Sequence, residues 1–110
     1  MNMTFLIGKL EFEGPFHEPA EIEARPGLFA ILCEDDSEYE LLEIDQSASL
    51  DSCLSNDEYI SNLRFYQDNC KGRLCAAVHY TDDLDVKERI ELREELLGEI
   101  RSEEAVVAPA

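Results

Sequence analysis

PGLFAILCEDDSEYELLEIDQS, residues 26–47, decides how this chain folds. Its first part, GLFAILC (27–33), is apolar and partly β-branched or aromatic. EDDSE (34–38) is a charged, turn-forming break, and YELLEI (39–44) is a second mixed run. Together they predict two β-strands joined by an acidic turn. Pro26-Gly27 reads as a plain turn ahead of the first strand.

Upstream, MTFLIGKLEFE (3–13) reads as one strand ending at Gly14-Pro15, because Leu10 and Phe12 alternate with Lys9, Glu11 and Glu13. GPFHEP (14–19) is a connector, since Pro15 and Pro19 cannot join a regular ladder. Downstream, Ser47 or Ser49 can cap a short helix with Leu50, Cys53 and Leu54 on one side. Asn56 or Asp57 can cap a second helix, with Tyr59, Ile60, Leu63 and Tyr66 or Gln67 at helical spacing. RLCAAVHYT (73–81) predicts a strand buried on both faces. A last helix starts near Asp83 to Asp85 and runs to about Arg101. Its apolar stripe is centred on Val86, with Ile90, Leu97 and Ile100 within roughly 40° of it and Leu96 at its margin. Arg89 and Arg93 project near this stripe, either as snorkelling stems or as a pair of cations in a cleft.

The expected fold class is α+β: a small central sheet flanked by about three helices. The sheet is built from the hairpin, a third core strand and an N-terminal strand. One domain spans residues 1–104, which fits a chain of 110 residues, and residues 105–110 are expected to form a flexible C-terminal tail. MNMTFLIGKLEFEG has no basic lead followed by a clean apolar region, and no apolar run approaches the roughly 20 residues needed to span a bilayer. A cytoplasmic protein without membrane contact is the expectation.

The net charge is −17, and residues 11–45 carry twelve acids against Arg25 alone. Such a surface repels phosphates at long range, whereas nucleic-acid affinity is drawn from Lys and Arg that displace counterions. Charge therefore argues against nucleic acid and for solvation, a basic protein partner or divalent cations. The four cysteines, Cys33, Cys53, Cys70 and Cys75, form no CxxC pair, and His17 and His79 are too scattered to complete an obvious zinc site. They are expected to be buried, reduced thiols.

The order of these segments resembles the GIY-YIG endonuclease superfamily, especially its short stand-alone members, over residues 10–101. PGLFAIL stands where PGVYAI-type sequence is expected, and LLEIDQSASL where LLYVGKSxNL-type sequence is expected. GRLCAAVHYT and the ERIE helix fit the third core strand and the helix that carries the family's metal-binding glutamate. The resemblance implies a nuclease site built from two tyrosines, an arginine, that glutamate and a Mg²⁺ or Mn²⁺ ion. The letters at those positions differ. Gly27 and Phe29 keep the glycine and ring of the first motif without its hydroxyl, and Glu43 and Asp45 replace the second tyrosine and glycine. Cys53 falls at the arginine position and Asp51 at the other basic one, while Glu91, or Glu94 if the register slips, is the candidate metal glutamate.

Hydrolysis of a phosphodiester needs positioned cations against the developing charge, and a cysteine cannot replace a guanidinium. The expectation is therefore a domain without nuclease activity and without a cofactor, acting as an interaction or regulatory module toward a basic protein or a second copy of itself. One alternative is a Mg²⁺- or Mn²⁺-dependent phosphodiesterase with rearranged ligands, among them Glu34, Asp35, Asp36, Glu43, Asp45 and Glu91. In it Arg89 or Arg93 would substitute for the missing arginine. Another is a nucleic-acid mimic whose carboxylates occupy a basic protein.

Overall fold

A computed structural model describes residues 3–36 and 38–100, and the backbone of 106–107. The fold is α+β: an antiparallel sheet with helices on both faces. The strands are β1 (Met3–Ile7), β2 (Leu10–Phe16), β3 (Gly27–Asp35), β4 (Glu38–Ser47), β5 (Arg73–Tyr80) and β6 (Val106–Val107). The helices are α1 (Leu50–Leu54), α2 (Asp57–Asp68) and α3 (Val86–Glu99), and the strand order is β1-β2-β5-β3-β4-β6. None of the helices is long and apolar enough to cross a membrane.

The hairpin read from residues 26–47 lies in the sheet as β3 and β4, and β3 is also paired along its length with β5. Every residue of β3 from Gly27 to Cys33 is buried, which explains the unbroken apolar run in place of alternation. One face packs Phe5, Phe12, Leu28, Leu32 and Ala77 under Leu96 of α3. The other packs Phe29, Ile31 and Val78 under Leu50 and Leu54 of α1, with Tyr59 and Leu63 of α2 against them.

Three local expectations are corrected. Residues 3–13 are not one strand: the chain reverses at Gly8-Lys9, and Ile7 pairs with Leu10. Gly8 has φ 59°, which suits the first position of a two-residue hairpin loop and costs a glycine little. β2 then runs through Gly14-Pro15 to Phe16 by means of a register shift against β5, a site where a proline's missing donor is tolerated.

The second correction concerns α3. Its inward residues are Arg89, Leu92, Arg93, Leu96 and Ile100, while Val86, Ile90 and Leu97 are 58%, 42% and 38% exposed. The helix is rotated by roughly 60° from the Val86-centred stripe, at 3.6 residues per turn. The aliphatic stems of the two arginines cover the sheet as apolar residues would, so a count of apolar letters misplaces the face. Its start agrees with the sequence: Asp85 accepts from Glu88 N at 2.8 Å, and Glu88 accepts from Asp85 N at 3.0 Å, a reciprocal cap.

The third concerns the cysteines. Cys33 and Cys70 form a disulfide, and only Cys53 and Cys75 are free thiols. Val106–Val107, within the segment 105–110 read as tail, pairs with Tyr39 and Glu40, and the rest of that segment lies outside the described residues.

Candidate functional site

The family-like positions fall into two groups, separated by the sheet. Phe29 points from β3 into the core beneath α2, where its ring meets the edge of Tyr59 at a centroid distance of 5.6 Å. Glu43 reaches the same side through a bulge in β4. Ile31 pairs with Glu43 while Leu32 pairs with Leu41, so Leu42 is the extra residue and everything after it changes face.

On that face α2 presents Tyr59 and Tyr66, one on either side of Leu63 at helical spacing, and all three are half-buried. The Tyr59 hydroxyl donates to Glu43 Oε2 at 2.5 Å, and the Tyr66 hydroxyl donates to Oε1 at 3.4 Å. Burial and the adjacent Glu43 carboxylate push the Tyr59 hydroxyl far above the usual phenol range. Asn56 fixes the start of this helix by accepting from Glu58 N and Tyr59 N, which sets the direction of Tyr59. Cys53 sits nearby on α1, and its thiol is pushed up by burial first and then by the charges of Asp45 and Glu43, against a Ser47 hydrogen bond. It is a neutral thiol, with none of the charge an arginine would carry there.

Asp45 lies at the open margin of β4. Its Oδ1 accepts from Gln46 N at 2.8 Å and stands 3.2 Å from Arg93 Nε, which also donates to the Ile44 carbonyl at 3.3 Å. Arg93 bonds Glu94 as well, at 3.2 Å. Arg89 is 4% exposed and donates through Nε to Gln46 Oε1 at 2.7 Å. Glu91 and Glu94 are exposed on α3. Gly27, Phe29, Glu43 and Cys53 thus gather on the α1/α2 side, while Glu91, Glu94, Arg89 and Arg93 belong to the helix on the opposite side.

This arrangement can hold a carboxylate between two phenols. No Lys or Arg among the described residues bridges to Glu43. No protein family, curated protein or solved structure matches the chain.

Two polar clusters of the structure are not visible as clusters in the sequence. In the sequence Tyr59 and Tyr66 stand out only as rings at helical spacing with Leu63. The usable signal was that two of three inward positions on α2 carry hydroxyls, opposite a strand with an acid in an apolar run. A second polar cluster has Glu34 at its centre, a residue of β3 rather than of the turn-forming break expected over 34–38. His17 Nε2 lies 2.7 Å from Glu34 Oε1, the Tyr39 hydroxyl donates to Oε2 at 3.1 Å, and Arg73 Nε donates to Oε1 at 3.4 Å. The hydrogen bond from His17, opposed by burial and helped by Tyr39, holds the Glu34 carboxyl below the usual carboxylate range.

The Glu43 contacts carry a direct prediction. Tyr59→Phe removes the shorter bond to a half-buried carboxylate and should cost about 1.5–3 kcal/mol, the scale of a hydrogen bond to a charged group. Tyr66→Phe, at the longer contact, should cost less than half as much. Urea denaturation at neutral pH compares the two variants, and equal losses would contradict the assigned order.

Proposed function

We propose that this chain is a GIY-YIG-like domain that has lost nuclease chemistry and works as an interaction or regulatory module in the cytoplasm. The resemblance of residues 10–101 supplies the ancestry. The observation that carries the loss is the state of Glu43: the residue at the second tyrosine position is pinned by Tyr59 and Tyr66. Around it, the arginine position is a neutral cysteine, and the candidate metal glutamates and spare arginines sit across the sheet. A phosphodiesterase needs those charges in one cleft, because its catalysis is electrostatic stabilisation by cations and metal ions.

The module reading rests on charge. With a net charge of −17 and exposed acids on β2 (Glu11, Glu13), in the connection from β2 to β3 (Glu18, Glu21, Glu23) and on the β3–β4 hairpin (Asp35, Asp36, Glu38, Glu40), the complementary partner is a basic protein surface.

Incubation with single- and double-stranded DNA and RNA, with Mg²⁺ or Mn²⁺, tests the loss of chemistry. The expected result is no metal-dependent cleavage above a protein-free control. Cleavage that disappears in Glu43→Gln would overturn the proposal and favour a phosphodiesterase with rearranged ligands.

A further inference from the structure

We propose that His17, Glu34 and Cys75 form a binding site for a zinc-like divalent cation. The three residues are distant in the chain, and the sheet brings them together. Phe16 of β2 pairs with Ala76 of β5, which sets His17 across from Cys75 as the chain leaves β2. Cys75 in turn pairs with Leu32 of β3, two residues before Glu34. One imidazole nitrogen, one carboxylate oxygen and one sulfur all lie within 4.8 Å of one another.

Zinc bonds of about 2.0–2.3 Å place tetrahedral ligand atoms roughly 3.3–3.8 Å apart, so separations of up to 4.8 Å have to close by no more than about 1.5 Å. His17 and Glu34 have the room to do so, since their side chains are 26% and 23% exposed at the rim of the sheet. Cys75, 4% exposed, is the fixed member.

The donor set selects the metal. Imidazole with a thiolate suits zinc and its neighbours, whereas magnesium and calcium take oxygen ligands. Three protein ligands leave a fourth position for water or a small ligand. The outer contacts fit as well. Tyr39 holds Glu34 through Oε2 and leaves Oε1 toward His17, so a cation would enter where the His17–Glu34 hydrogen bond now runs. Arg73 contacts the same Oε1, and its side chain is 67% exposed, free to swing into water. On binding, the Cys75 thiol gives its proton to solvent and the sulfur becomes a thiolate ligand. This site is independent of the Glu43 cluster, which lies under α2.

Cobalt(II) titration of the full chain, followed by absorption, tests the proposal. About one equivalent should bind, with a sulfur-to-cobalt charge-transfer band in the near ultraviolet and tetrahedral d–d bands that zinc bleaches. The charge-transfer band should vanish in Cys75→Ser and persist in Cys53→Ser. His17→Gln, at a position about a quarter exposed, should keep the fold and weaken cobalt binding about tenfold or more, the scale at which metal sites respond to loss of a supporting group. Absence of the band at millimolar cobalt, its survival in Cys75→Ser, or unchanged affinity in His17→Gln would each overturn the site.

Discussion

Reducing the Cys33–Cys70 disulfide should lower unfolding stability by about 4 kcal/mol, from the loop-closure entropy of a loop of this length. The bridge spans a sequence separation of 37 residues and ties β3 to the chain just beyond α2. No residue of α2 is fully buried. The helix is held by the half-buried Tyr59, Leu63 and Tyr66 on one side and by this covalent tie at its end. Its loss should therefore loosen α2 before the rest of the sheet and separate both tyrosines from Glu43. Urea unfolding with and without an excess of dithiol measures the cost, and Cys33→Ser with Cys70→Ser should reproduce it without reductant. In denaturant, the unreduced protein should titrate two thiols, Cys53 and Cys75, and four after reduction. Four thiols before reduction, or stability indifferent to dithiol, would remove the bridge.

That result also bears on where the domain works. Structural disulfides concentrate in oxidising compartments, and the cytosolic thiol pool keeps such pairs reduced. Against a typical total of roughly 5–15 kcal/mol, a loss of about 4 is a large fraction. Cytoplasmic residence is thus the part of the proposed function that the thiol count challenges most directly. A bridge that survives in protein taken directly from cells would move the domain to an oxidising compartment.

The difference between what the sequence revealed and what it concealed follows the range of the interactions. Local patterns were legible: the 26–47 hairpin, the doubly buried β5, and the starts of α2 and α3 at Asn56 and Asp85. Each is written in contiguous residues. The Leu42 bulge was not legible, because one extra residue in LLEI changes no composition yet turns Glu43 to the α2 side. The α3 face was misread because arginine stems did the covering that apolar letters normally do. The Gly8 turn hid inside an apolar run whose only break is one glycine before a lysine. The disulfide and the His17–Glu34–Cys75 cluster depend on which strands become neighbours, and no spacing along the chain encodes that. For the same reason, the split between Glu43 and the pair Glu91 and Glu94 became visible only once the helices had sides.

Gly27→Ala should destabilise the domain by about 3 kcal/mol or more, the cost of overpacking a site that cannot yield. Gly27 opens β3 where that strand runs against Tyr80 of β5 and beneath α1. A methyl group there would press into the His79 carbonyl oxygen, with Leu50 Cδ1 at 2.9 Å and the Tyr80 Cα at 3.1 Å. Leu50 can shift a little, but two of the three neighbours are backbone held in the β3–β5 ladder. Gly98 is the matched control: a Cβ there meets nothing within 4 Å, so Gly98→Ala in α3 should be neutral or gain up to about 1 kcal/mol from helix propensity. Thermal and urea unfolding of the two variants decide the matter, and a Gly27→Ala loss within roughly 0.5 kcal/mol would refute the packing account. A large loss carries a consequence for the family resemblance. Gly27 would then be required by the approach of β5 and α1 alone, whether or not any chemistry survives beside it. On the proposed GIY-YIG-like reading, a glycine here is what a working nuclease and a silent relative would both keep, whereas Glu43, which no backbone contact forces, is where the proposal has them diverge.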